Sequence, residues 1–461
     1  MCGSRNADVQ RAIDAVAAAA PEADADPSRP AFHFRPPAQW MNDPNGTLFH
    51  NGFYHLFYQH NPYGTQWGCM HWGHARSRDL VHWEHLPIAL WPSRELGEEH
   101  CFSGCARIAA DGTPLLYYTS IGSRDPEQWA ATGDADLIVW RKHPRNPMLT
   151  LAAHGACAVR EWRDPFVFHE AGRTFLVLGG HTDGSAAALL YEQAGTETEW
   201  LYRGVLFRHP DSALLSLECP NFFRLGDRWV LLDSPHGPVD YFLGTFDIDA
   251  PRFAADSRGK LDAGTFYATN VLQAPDGRCV LFGWVNGFRS TRGWNGCLAL
   301  PRELSLDDRG HVCQVPVREL RAIRGEHTSL ADRPIPTSGL ALPAAGSMFE
   351  IRMQVAFGAG QGVVLEIALP DAAPLLTIEC TRARIRAGDA TAPRGTGAPI
   401  DQLGLHVFVD RSVVELFADG GRACITRVID SRGVTPSLRL ASAGAPATLR
   451  TLDMWRLASI W

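Results

Sequence analysis

The chain is expected to fold as an all-β protein, a five-bladed β-propeller followed by a C-terminal β-sandwich. Three observations predict this. Beyond residue 30 helix signals are scarce, and short apolar runs alternate with Gly, Asn, Asp and Pro turns. One hairpin pattern then recurs five times: a turn containing glycine, followed by a strongly apolar strand. The copies are NGFYHLFYQ, DGTPLLYYT, AGRTFLVLG, GDRWVLLDS and DGRCVLFGW. Their glycines, Gly52, Gly112, Gly172, Gly226 and Gly277, are spaced by 60, 60, 54 and 51 residues. That period suits one sheet per copy, arranged radially. Finally, strands and turns keep alternating from about 346 to 458, enough for two packed sheets. Chance hairpins in one large sandwich are the competing fold.

The elements follow in order. Residues 1–30 open with an Ala-rich run, expected to form a short helix near 7–20 and then a Pro/Asp linker. Asp8 and Asp14 interrupt any apolar core there, so no signal peptide is read. Residues 31–325 hold the five repeats. Residues 326–345, within GEHTSLADRPIPTSGLALPAAG, are expected to be a linker. Residues 346–461 form the sandwich, in which LHVFVDRSVVELFADGG reads as two strands around an Asp-Arg-Ser turn.

Composition narrows the function. Net charge is −7, and no basic run marks a nucleic-acid patch. No stretch approaches the ~20 apolar residues of a membrane span. Eleven cysteines, an odd number mostly inside apolar runs, read as reduced thiols, and the chain is read as cytoplasmic. Cys69, His71, His74, His100, Cys101 and Cys105 lack the paired spacing of a zinc site, so no metal and no cofactor is expected.

Counting back from the turn glycines exposes a second pattern. Asp43 lies nine residues before Gly52, Asp164 eight before Gly172, and Glu218 eight before Gly226. In the other copies an offset of eight or nine reaches Gly104, beside Ser103, and Ala268, beside Tyr267. If each turn joins the first two strands of a blade, all five positions lie on innermost strands. Three carboxylates then converge at one end of a funnel. Two carboxyl groups facing across a cleft suit glycoside hydrolysis: one attacks the anomeric carbon, the other protonates the leaving oxygen. The acid needs a raised pKa, which a neighbouring carboxylate and desolvation supply. Cys219 beside Glu218 is a poorly hydrating neighbour. Asn42 and Gln59 offer hydrogen bonds, Arg163 can pair with a carboxylate or bind a hydroxyl, and Trp40, Trp67, Trp72, Phe102 and Trp284 offer walls for a sugar pocket. His74 and His82 read as structural.

WMNDPNG, FYQ, WGHARSRDLVHWE, FSG, WRDP, ECP and LALPREL stand here in the order found in glycoside hydrolase family 32, which the chain resembles from about Phe32 to its end. The resemblance implies a propeller and sandwich, and a retaining β-D-fructofuranosidase acting on sucrose or short fructans. It implies Asp43 as nucleophile, Glu218 as general acid/base and Asp164 as transition-state stabiliser. It places Trp40, Asn42, Gln59, Trp67, Phe102, Ser103, Arg163, Tyr267 and Trp284 against the substrate. Cys105 departs from the small Ser or Ala frequent at that position. A fructosyltransferase and a sucrose-6-phosphate hydrolase remain alternatives within the family, the latter with Arg76 and Arg78 as candidate phosphate contacts. A catalytically silent sugar-binding propeller is the alternative from another class.

Overall fold

The computed structural model describes residues 2–289, 291–358, 362–370, 372–395, 397 and 399–461. Beyond one helix and three short 3-10 turns, the regular structure of the described residues is strand. The N-terminal helix spans Cys2–Asp24, a full turn or more beyond each expected end. The run ends at Asp24, and the following segment is pinned rather than loose. The buried Arg29 guanidinium donates to the Pro36 and Pro37 carbonyls at 2.7 and 2.6 Å and to Asp24 at 2.6 Å.

Five sheets follow. Their first strands are Gln39–His50, Glu98–Ile108, Val159–Glu170, Glu218–Leu225 and Phe266–Gln273, each pairing antiparallel with the next strand in sequence. All five turn glycines lie between those paired strands with φ between +65° and +87°, a region that only glycine enters freely. The first strands contact one another in a closed cycle, fifth against first. Short strand Trp294–Asn295 pairs in parallel with Gln39 and Trp40, tying the end of the cycle to its start. Middle strands such as Arg173–Thr182 carry Phe175, Leu176, Val177 and Leu178 with no exposed surface. Such runs are apolar on both faces because both faces are covered. Each side chain contributes roughly 1.5–3 kcal/mol on burial.

Every first strand carries the same bulge. Three steps along it oppose two on its partner at Met41 to Pro44, Cys101 to Gly104, Arg163 to Phe166, Glu218 to Asn221 and Tyr267 to Asn270. A bulge leaves one residue unpaired and re-aims its neighbours. Pro44, Pro165 and Pro220 sit at these bulges, where no ladder N–H is required. The first strand has a second bulge, Asn45 to Leu48, between Asp43 and Gly52.

Two six-stranded antiparallel sheets form the C-terminal part and share one core, with Phe349, Ile351 and Met353 from one facing Val363, Leu365 and Ile367 from the other. The expected linker 326–345 is mostly sheet: strand Arg324–Ile335 pairs with the last strand, Ala447–Leu457. Its alternating exposed polar residues hid it, because an edge strand buries little. A buried ionic network joins this part to the rest. Asp410 accepts the backbone N–H groups of Ala31, Phe32 and His33, and the His33 ring bridges Asp410 and Glu415 at 2.8 and 2.9 Å. Arg302 donates to Glu415 at 2.6 Å and to Asp262 at 3.0 Å.

Candidate active site

The bulges decide which side chains meet. Asp43 and Ser103 are the second residues of their bulges, Asp164 is the first of its own, and Glu218 and Tyr267 immediately precede theirs. The shared offset seen in the sequence is therefore three adjacent positions around one backbone feature. Bulged N–H groups are free for other partners: Cys219 N–H donates to Asp164 Oδ2 at 2.9 Å, and Asp164 N–H donates to Thr119 Oγ1 at 3.0 Å. Asp164 and Cys219 adopt φ of +63° and +47°, strained conformations held by their surroundings.

Asp43 is surrounded by donors. Asn42 Nδ2 donates to Oδ1 at 2.9 Å, while Ser103 Oγ donates to Oδ2 at 2.5 Å. Gln59 Nε2 reaches Oδ2 at 3.4 Å and Ser103 Oγ at 2.5 Å, and the Cys219 thiol reaches Oδ2 at 3.5 Å. Trp40 Nε1 donates to Asn42 Oδ1 at 2.8 Å, which fixes the Asn42 amide so that its N–H₂ faces the carboxylate. Burial raises the pKa of Asp43, the Ser103 and Asn42 hydrogen bonds pull it back, and the Glu218 charge raises it further. Burial, with Asp43 and Asp164 nearby, lifts the Cys219 thiol far enough to keep it protonated.

Asp164 is buried and raised to about 7, first by burial, then by the Glu218 and Asp43 charges, against the pull of Arg163. Three close carboxyl groups do not all ionise together at neutral pH.

Glu218 is held on both oxygens. Arg163 Nη2 donates to Oε1 at 2.7 Å, and Tyr267 Oη lies 2.6 Å from Oε2. Tyr267 Oη is also 2.7 Å from the Ser234 carbonyl and accepts the His236 N–H at 2.9 Å. A phenol has one proton and a carbonyl can only accept. When the phenol donates to Ser234, the short contact to Glu218 needs a proton from Glu218. When Glu218 is ionised, the phenol turns to it and the Ser234 contact loses its proton. Both protonation states of Glu218 are thus accommodated, and they differ by one backbone contact, ~1 kcal/mol.

The expected wall residues divide: Trp72 is fully buried in a core cluster, where its Nε1 donates to the Phe102 carbonyl at 3.0 Å. Trp40 and Trp284 stand edge to face at 5.7 Å. Trp67, half exposed, stacks on His100 at 5.0 Å and meets Phe102 edge-on at 6.0 Å, so it lies at the rim. Tyr267 and Arg163, expected against the substrate, both engage Glu218. Ser216, Ser234 and His236 were missed; nothing in their local sequence marks them. Arg76 and Arg78 pack over Phe53, and Arg76 pairs with Glu84, at the end of their sheet opposite Gln59. His74 is fully buried against His55 and Phe57. Cys105 is buried in a core cluster.

Among the described residues the Cys/His runs form no ligand cluster; His209, Asp233 and Asp240 do. His209 Nδ1 accepts the Asp211 N–H at 3.0 Å, which leaves the ring proton of the neutral imidazole on Nε2. The nitrogen nearest Asp240, 3.6 Å away, is then a donor and not a metal ligand.

Paired carboxyl groups with opposite proton demands define the class, a glycoside hydrolase. The comparisons give the family. The model for the glycosyl hydrolases family 32 N-terminal domain matches residues 33–316, and that for the family's C-terminal region matches 373–456. The chain belongs to glycosyl hydrolase family 32 and is a β-fructofuranosidase-type hydrolase. A sucrose-6-phosphate hydrolase of Escherichia coli is 31% identical over 468 residues, 93% of this chain and 94% of that protein. A raffinose invertase of Escherichia coli is 32% identical, over 93% and 95%. The solved structure of a Bombyx mori GH32 beta-fructofuranosidase superposes with TM-score 0.86 and 27% identity, covering 99% of each chain.

Proposed function

We propose that the protein is a retaining β-D-fructofuranosidase that releases terminal fructose from sucrose and short fructans by way of a fructosyl-enzyme. The observation that carries this is the asymmetry of the two carboxyl groups: Asp43 is ringed by donors suited to an ion, whereas Glu218 is built to be either protonated or ionised. Asp43 attacks C2 of the fructosyl unit. Glu218 transfers its proton to the glycosidic oxygen as that bond breaks. Water then gives a proton to Glu218, its oxygen bonds to C2, and the Asp43 carboxylate leaves. Asp164 accepts hydroxyls of the fructosyl ring and supports the oxocarbenium-like transition state. Asn42, Gln59 and Ser103 orient Asp43; Trp40, Trp67, Phe102 and Trp284 bound the pocket.

On this reading the five sheets are propeller blades, the six-stranded pair is a sandwich, and the enzyme works in the cytoplasm without a cofactor. A second reading, sucrose-6-phosphate hydrolysis, draws on the names of relatives from Escherichia coli and Zymomonas mobilis. That reading calls for exposed cations near the site, and Arg289 and Arg292, exposed and shortly after Trp284 in the chain, are the ones it would test first. Chromatography of products from sucrose, inulin and levan, with kcat/KM for sucrose and sucrose-6-phosphate, tests both. Fructose with an equal amount of glucose from sucrose supports the first reading. A kcat/KM at least tenfold higher for the phosphate supports the second, and oligosaccharides would mean transfer.

A further inference from the structure

Beside Glu218 lies a histidine that the mechanism above does not use. His236 sits in the turn after strand Arg228–Ser234, at φ +58°, a conformation that favours glycine, with Gly237 next to it. Its N–H anchors Tyr267 Oη at 2.9 Å. Its ring is about half exposed at the mouth of the site, with Nδ1 3.6 Å from Glu218 Oε2 and Nε2 3.4 Å from Ser216 Oγ.

The ring's proton can be placed by counting donors. Arg163 Nη2 lies 3.3 Å from Ser216 Oγ, and a guanidinium only donates, so Ser216 accepts there. The single Ser216 proton is then free for His236 Nε2. With Nε2 accepting, the neutral imidazole carries its hydrogen on Nδ1, the atom that faces Glu218. Arg163 thus acts on Glu218 twice, directly on Oε1 and through Ser216 and His236 toward Oε2.

We infer that His236 is a positioning residue for Glu218: its Nδ1–H steadies the carboxylate that Glu218 becomes after protonating the leaving sugar. This rests on the reading of Glu218 as acid/base. At 3.6 Å the contact is too long for a hydrogen bond to a protonated Glu218, whose Oε2 proton belongs to Tyr267. Once Glu218 is ionised, the charge draws the N–H to ~2.9 Å. The device therefore engages in the fructosyl-enzyme, where Glu218 must take a proton from water. The groups facing Glu218 and His236 are Arg163 and Asp164 from the third sheet, Glu218 and Cys219 from the fourth, Tyr267 from the fifth and Asp43 from the first.

His236→Gly removes the ring and suits the backbone, so folding is preserved. His236→Asn keeps a donor near Nδ1 on a residue that tolerates positive φ. On sucrose, His236→Gly is expected to lower kcat about tenfold with KM within about twofold, as for loss of a hydrogen bond to a charged group. The acidic limb of its kcat–pH profile moves up by about half a unit or more, since the ionised base has lost a donor. Azide, a nucleophile that needs no base, restores the rate, and His236→Asn recovers most of it. An unchanged kcat and pH profile, a loss confined to KM, or Asn no better than Gly overturns the role. Glu218→Gln is measured alongside. If it still hydrolyses sucrose, the acid/base reading falls; a silent His236→Gly beside an inactive Glu218→Gln overturns only the role of His236.

Discussion

Asp164→Asn separates what the site needs for chemistry from what the fold would prefer. Asp164 is buried, and its carboxyl is raised from 3.8 to about 7, with burial the largest cause. A folded-state pKa above the unfolded one means stability is fully present below about 3.8 and is lost as pH rises through about 7. At 1.36 kcal/mol per unit, the ionised form weakens the fold by up to roughly 4 kcal/mol, and by about 2 kcal/mol after allowing for relaxation. Asparagine is nearly isosteric and tolerates the φ of +63° found here. Its Oδ1 can also accept the Cys219 N–H now given to Oδ2 at 2.9 Å. The variant should therefore match wild type in urea or thermal unfolding near pH 4 and exceed it by about 2 kcal/mol at pH 8. Sucrose turnover should fall by at least a hundredfold, as for a lost transition-state contact. A variant less stable than wild type at pH 8, or a stability gap that does not grow with pH, would refute the reasoning.

Two further outcomes are expected. His33→Gln breaks the buried link between the two parts of the chain. Burial opposes the imidazolium, but Asp410 and Glu415 push it up to about 9 from 6.5, so its stabilisation is complete below pH 6.5 and disappears above 9. Denaturation should show the variant weaker by about 3 kcal/mol at pH 6 and nearly equal to wild type at pH 10. Tyr267→Phe removes the proton that moves between Ser234 and Glu218, so kcat on sucrose should drop tenfold to about a hundredfold with KM little changed. A loss in KM alone would return Tyr267 to the sugar.

Much of this was legible in the chain. The glycines marked real hairpins because a tight turn with φ near +80° leaves little choice of residue, and each stands at the turn it predicted. The carboxylates stood out because each lies in or beside a bulge eight or nine residues before such a turn. What failed were cases where burial and pattern part company. The helix ran past its expected ends through Pro21, a residue that usually ends one, and the edge strand Arg324–Ile335 looked like a linker because solvent covers one of its sides. That Tyr267 meets Glu218 was not legible, because chemistry alone does not say which neighbour a hydroxyl faces. Ser234 was illegible for a different reason: it acts through its backbone carbonyl, which every residue has.

The central claim is that Asp43 carries the fructosyl group. Acid quenching of the wild-type enzyme during sucrose turnover, followed by peptide mapping by mass spectrometry, reads this directly. The account predicts a hexosyl adduct on the peptide containing Asp43, and neither adduct nor sucrose hydrolysis in Asp43→Ala. An adduct on Asp164 or Glu218, or hydrolysis that survives in Asp43→Ala, would contradict it.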